Sequence, residues 1–156
     1  MYKKLRDLPA PQGLYDPAYE HDACGIGFVV NIKGKKSYDI LDQALTILEN
    51  LKHRGAEGAD AKSGDGAGIL VQIPHQFFCR ECEVLGFSLP AAGDYGVGMI
   101  FAHRYETFRK QQMAEFEAIV RSEGLSVLGW RDVPVDESLI GSIAKTTRPH
   151  FLQVFI

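Results

Sequence analysis

The chain has 156 residues, 46% of them hydrophobic, which suits one domain with a substantial core. Its net charge of −3 gives no electrostatic footing for nucleic acid or an anionic membrane, and no apolar run approaches the ~20 residues that span a bilayer. Three cysteines, an odd number, point to reduced thiols and a cytoplasmic setting rather than a disulfide frame.

Residues 1–23 are spaced by Pro9, Pro11 and Pro17 and show neither helical nor strand periodicity, nor the continuous apolar stretch of a secretory signal. They read as an irregular leader. From Gly25 the pattern changes: Ile26, Phe28, Val30 and Ile32 alternate with Gly27, Val29 and Asn31, which predicts a strand with glycines on its second face. Lys33-Gly34-Lys35-Lys36 is a solvated turn. Ser37 is placed as an N-cap for a helix whose apolar residues Ile40, Leu41, Ala44, Leu45, Ile47, Leu48 and Leu51 repeat at helical spacing. Lys52, His53 and Arg54 are expected in its last turn, with Gly55 closing it.

Ala56 to Gly68 is a glycine-rich loop, followed by a short apolar strand from Ile69 to Ile73 that Pro74 stops. His75 reads as a helix-start residue, and Phe77, Phe78, Cys82 and Leu85 predict a short helix ending at Gly86. A strand is expected over Tyr95–Ala102 and a third helix through Phe108, Met113, Phe116, Ile119 and Val120, ended by Gly124. A further strand falls within Leu125–Val133 and a short helix over Glu137–Ala144. Phe151 to Ile156 predicts a last apolar strand with no partner after it, as in the front part of a larger domain. Alternating helices and strands make the class mixed α/β (α+β).

The tetrapeptide Cys24-Gly25-Ile26-Gly27, reached after His21-Asp22-Ala23, has the form of a cut site in front of a nucleophile. A thiol has a pKa near ~8.5 and an α-amine near ~7.7–8.0, so a terminal cysteine carries a nucleophile beside a matched base. An internal Cys24 has only an amide nitrogen, so the chemistry requires cleavage between Ala23 and Cys24. The residues alone leave a second reading open, an ordinary buried cysteine at the start of a strand.

The runs Tyr15-Asp16-Pro17 and Glu20-His21-Asp22-Ala23-Cys24-Gly25-Ile26-Gly27-Phe28 resemble the maturation site of glutamate synthase large subunits. His53-Arg54-Gly55-Ala56 with Gly64-Asp65-Gly66-Ala67-Gly68-Ile69-Leu70 is similar to a second signature of that family, and Ile73-Pro74-His75-Gln76-Phe77-Phe78 continues it. Asp132-Val133-Pro134-Val135-Asp136 and Gln153-Val154-Phe155-Ile156 also fit, so the resemblance runs from about Tyr15 to the end.

The resemblance implies a class II glutamine amidotransferase domain with the four-layer α/β/β/α sandwich of N-terminal nucleophile hydrolases, truncated at its C-terminal end. Residues 1–23 would be its propeptide and residues 24–156 its N-terminal portion. Cys24 would attack the side-chain amide of glutamine, with Arg54 and Gly55 supporting the active site. The released ammonia would serve reductive amination of 2-oxoglutarate elsewhere in the enzyme. FMN and an iron–sulfur cluster are implied for the full-length enzyme and no cofactor or metal for this segment. The implied partners are the remaining synthase domains and a small flavoprotein subunit.

Three features limit or compete with that reading. Asn31 and Asn50 are followed by Ile32 and Leu51, so the Asn-Gly pair that helps form the oxyanion hole in related amidotransferases is missing. The oxyanion and glutamine-binding residues are expected beyond Ile156, and the chain by itself is expected to have little glutaminase activity. A catalytically silent module of the same fold is the alternative, favoured if residues 1–23 stay attached. Gly64-Asp65-Gly66-Ala67-Gly68 lacks the Lys-Ser/Thr of a phosphate-binding loop. Cys79 and Cys82 have C-x-x-C spacing, but a structural zinc needs two more ligands, so packing or surface thiols are expected there.

Overall fold

The computed structural model describes residues 11–13, 25–56, 60, 62–64 and 66–156. These fall into two compact units: one holds the described residues up to Ala56 with Ala67–Ile69, the other Asp60–Gly66 and everything from Leu70 onward. Most of the leader and Cys24 lie outside the described residues.

In the first unit the periodic run forms helix α1, Tyr38–Asn50. Ile40, Leu41, Ala44, Ile47 and Leu48 share its half-buried face, as their spacing predicts. Ser37 occupies the N-cap position in extended backbone, but its hydroxyl makes no capping bond. Asp39 in the first turn complements the helix dipole. The C-terminal end differs from expectation. Lys52, His53 and Arg54 form a separate 3-10 turn, and Gly55 has φ −87°, so it closes nothing by a left-handed residue.

The alternating segment before α1 forms no strand among the described residues. Its glycine side lies on the helix: a Cβ added to Gly27 would stand 2.5 Å from Ile47 Cγ2. Its apolar side is open, with Ile26 94% and Ile32 99% exposed. Alternation sets which side chains share a face, but a strand exists only where a neighbour supplies hydrogen bonds. The basic turn is as expected. Asn31 Oδ1 accepts the amides of Lys33 and Lys35 at 2.9 and 3.3 Å, and Gly34 takes φ +67°. The strand expected over Ile69–Ile73 is likewise absent.

The second unit is a mixed helix-and-sheet assembly. It contains α2 (His75–Val84), β1 (Val97–Ala102), α3 (Glu106–Ser122), β2 (Gly129–Asp132), α4 (Ser142–Thr147) and β3 (His150–Phe155). Gly86 and Gly124 follow α2 and α3 with φ of +88° and +76°, where glycine carries no steric penalty. The short helix α4 begins five residues later than the predicted Glu137. Its start is set by contacts remote in sequence, described below.

The last strand finds its neighbours among elements that precede it. Predicted as an apolar strand with no partner after it, β3 is the central strand of a three-stranded sheet in the order β1-β3-β2, antiparallel to both neighbours. β1 and β2 therefore run parallel, with α3 as the crossover between them and β3 inserted into the gap.

Val154 and Phe155 point to opposite faces, and both are fully buried, so both sheet faces are covered at that end. On the Phe155 side α2 brings Phe78 and Cys82, which pack with Tyr95, Phe87, Leu89, Val97 and Leu128. The Phe78 ring meets Phe155 edge-on at 5.2 Å. On the opposite side Phe116 of α3 stands edge-on to Trp130 at 5.5 Å, and Trp130 Nε1 donates to Glu117 at 2.8 Å.

Candidate active site

Cys24 itself is not described, but the residue that follows it is. A Cβ on Gly25 would sit 3.0 Å from Leu51 Cδ2 and 3.4 Å from Arg54 Cδ. The stem of Arg54 thus lies against the backbone immediately after the candidate nucleophile. The 3-10 turn makes this approach: Arg54 N–H donates to Leu51 O at 2.9 Å and Gly55 N–H to Lys52 O at 3.1 Å, turning the chain back past the end of α1. His53 Nδ1–H also holds this end by donating to Asn50 O at 2.9 Å. Gly25 and Arg54 are 29 residues apart in sequence, and the structure brings them together. At Gly55 an added Cβ would meet only Lys52 O, at 3.5 Å, so the local backbone does not itself demand glycine.

Asp60, in the glycine-rich loop, was not singled out by its sequence context. Its carboxylate accepts the Lys62 amide at 2.8 Å, the Ser63 hydroxyl at 3.1 Å, and the Ser142 hydroxyl and Ile143 amide at 3.4 Å each. Ser63 Oγ takes the Ala144 amide, and Gly141 N–H donates to Lys62 O at 2.9 Å. The loop therefore satisfies the orphan amides at the start of α4 from some 80 residues away, which explains why α4 starts at Ser142. The Lys62 amide is the main reason the Asp60 carboxyl is held below its ordinary range, with partial burial opposing and Ser63 assisting.

His75 begins α2 as expected and also bridges to Tyr95, its Nδ1 lying 3.0 Å from the phenol oxygen. Cys79 Sγ is 3.5 Å from His75 Nε2, one helical turn on. Cys82 is a core residue whose thiol is pushed up chiefly by burial. Both cysteines are free thiols. Among the described residues no three His, Cys, Asp or Glu side chains gather to hold a metal ion. No described helix is long and apolar enough to cross a membrane.

The sequence profile of the glutamine amidotransferases class-II matches residues 24–156. The chain belongs to this family. It is 48% identical over 149 residues to a glutamate synthase [NADPH] large chain of Bacillus subtilis, the alignment covering 96% of this chain and 10% of that protein. It is 46% identical over 151 residues to a glutamate synthase [NADH] of Saccharomyces cerevisiae, covering 94% of this chain and 7% of the relative. Over 137 residues it is 39% identical to a ferredoxin-dependent glutamate synthase of Synechocystis, covering 88% and 9%. The chain thus spans a tenth or less of the length of these relatives.

Proposed function

We propose that this chain is the amino-terminal part of the glutaminase domain of a glutamate synthase, with residues 1–23 a propeptide and Cys24 the nucleophile of the mature domain. The observation that carries this reading is the family match over residues 24–156, which opens on Cys24. Its relatives, alike in name, differ in electron donor: NADPH, NADH or ferredoxin. The complete domain would form the four-layer α/β/β/α sandwich of its class, and the enzyme would act in the cytoplasm.

Removal of residues 1–23 exposes the α-amine of Cys24. That amine takes the thiol proton, and the thiolate attacks the side-chain amide carbon of glutamine. The tetrahedral oxyanion collapses as the amine returns the proton to the leaving nitrogen, the C–N bond breaks and ammonia departs. Water then attacks the thioester carbon, releasing glutamate and restoring the thiol. Arg54 suits a bracing role because its stem already lies along Gly25, and its guanidinium offers a rigid fork of donors to nearby carbonyls. Gly55 supports the same turn.

The ammonia would serve reductive amination of 2-oxoglutarate in the remaining synthase domains. FMN, an iron–sulfur cluster and a small flavoprotein subunit belong to that part of the enzyme.

The test is intact mass with N-terminal sequencing of the full-length enzyme after incubation with the glutamine analogue diazo-oxo-norleucine. A start at Cys24 and one adduct on that residue is the expected result. An active enzyme that keeps residues 1–23, or an adduct elsewhere, overturns the reading.

A further inference from the structure

The second unit carries a concentration of positive charge that the glutaminase chemistry does not use. A cleft of about 180 Å³ is lined by Arg104, Glu137, Lys145, Arg148, Pro149 and His150. Three permanent cations thus face one carboxylate, in a chain whose overall charge is −3.

Two of these cations are fixed in place. Arg104 Nη1 donates to Thr146 O at 2.5 Å, and its guanidinium lies 5.5 Å from the Tyr105 ring centroid. Arg148 donates through Nη1 to Pro149 O at 3.1 Å and through Nη2 to Glu137. The Thr146 carbonyl orients Arg104 without neutralising it, whereas Arg148 is paired with the Glu137 carboxylate, and each fork keeps donors to spare. Lys145, in the last turn of α4, has no acidic partner among the described residues. His150 gives its Nε2–H to the Asp132 carboxylate at 2.5 Å, so it is spoken for and adds no donor of its own to the cleft.

Like charges gathered around one cleft repel, and a bound anion relieves that repulsion. The volume falls below the ~300–1,000 Å³ of clefts for drug-sized ligands, which limits the ligand to a small one.

We propose that the cleft formed by Arg104, Lys145 and Arg148 binds a small, multiply charged oxyanion. The shared chemistry is a compact group of acceptor oxygens, which either a phosphate or a dicarboxylate supplies.

The test is calorimetric titration of the full chain at constant ionic strength, with inorganic phosphate in one arm and succinate in the other. Amide chemical shifts are followed in parallel. Saturable binding of either anion, with shifts centred on Lys145, Arg148 and His150, is expected, and the arm that saturates identifies the ligand chemistry. Charge reversal by Lys145→Glu should weaken binding by about tenfold, the effect of ~1.4 kcal/mol. The same reversal by Lys36→Glu, at an exposed lysine of the first unit, should leave it unchanged. Arg104→Gln provides a second variant should Lys145→Glu disturb α4. Absence of saturation with both anions, or equal weakening by Lys145→Glu and Lys36→Glu, overturns the proposal.

Discussion

At Cys24 the proposed chemistry rests on one sulfur and one amine, so a single change separates it from everything else in the enzyme. Cys24→Ser in the full-length protein should lower glutamine-dependent ammonia release by about a thousandfold or more. Glutamate formation from added ammonia should persist, as measured by coupled assay. Cys82 is the opposite kind of cysteine. It has no exposed surface and packs with Phe78, Tyr95 and Phe155, so Cys82→Ser buries a hydroxyl at a cost of about 1–3 kcal/mol, readable from the urea midpoint.

Burial raises the Cys82 thiol and the Tyr95 phenol above their ordinary values. A raised acid contributes stability that is intact below its unfolded pKa and is lost as pH rises through the folded one. The second unit should therefore weaken from the ordinary thiol range upward, and Cys82→Ala should flatten the first part of that decline. Urea midpoints measured across alkaline pH check this.

The packing of α1 on the Gly25–Gly27 segment makes a prediction at the scale of elements. Gly27→Ala would drive a Cβ to 2.5 Å from Ile47 Cγ2, a branch fixed at χ1, and should cost about 1–3 kcal/mol. Ile47→Ala in the same chain should recover part of that loss, so a double-mutant cycle would show coupling between the two positions. What the sequence revealed follows the same physics. α1, α2 and α3 were legible because a helix satisfies its own hydrogen bonds, and its apolar spacing declares its face. The strands at Ile26–Ile32 and Ile69–Ile73 were misread because a strand depends on a partner that alternation does not reveal. α4 was displaced because Asp60 and Ser63, distant in sequence, decide where it starts. Cys24 and Arg54 were singled out by resemblance to family signatures and remain proposed site residues, and the contact of Arg54 with Gly25 came only from the fold.

For the whole molecule, the two compact units imply that a single unfolding midpoint is not guaranteed. Trp130 is the sole tryptophan and reports only on the second unit, whereas α1 contributes helical signal from the first. Denaturation followed by fluorescence and by far-ultraviolet circular dichroism should therefore give non-coincident curves. Phe155→Ala, which empties the centre of the α2 side of the sheet, should cost about 3–5 kcal/mol and shift the fluorescence curve. The circular dichroism contributed by α1 should be left largely in place.

The order β1-β3-β2 also governs when this sheet first exists. β1 and β2 emerge from the ribosome before the strand that joins them and can bond to each other only through it. Until residues 150–155 leave the exit tunnel, the nascent chain carries two unpaired edges, with Trp130 unsheltered beside them. A pause in translation ahead of that point would prolong the interval in which a chaperone, rather than β3, must cover them.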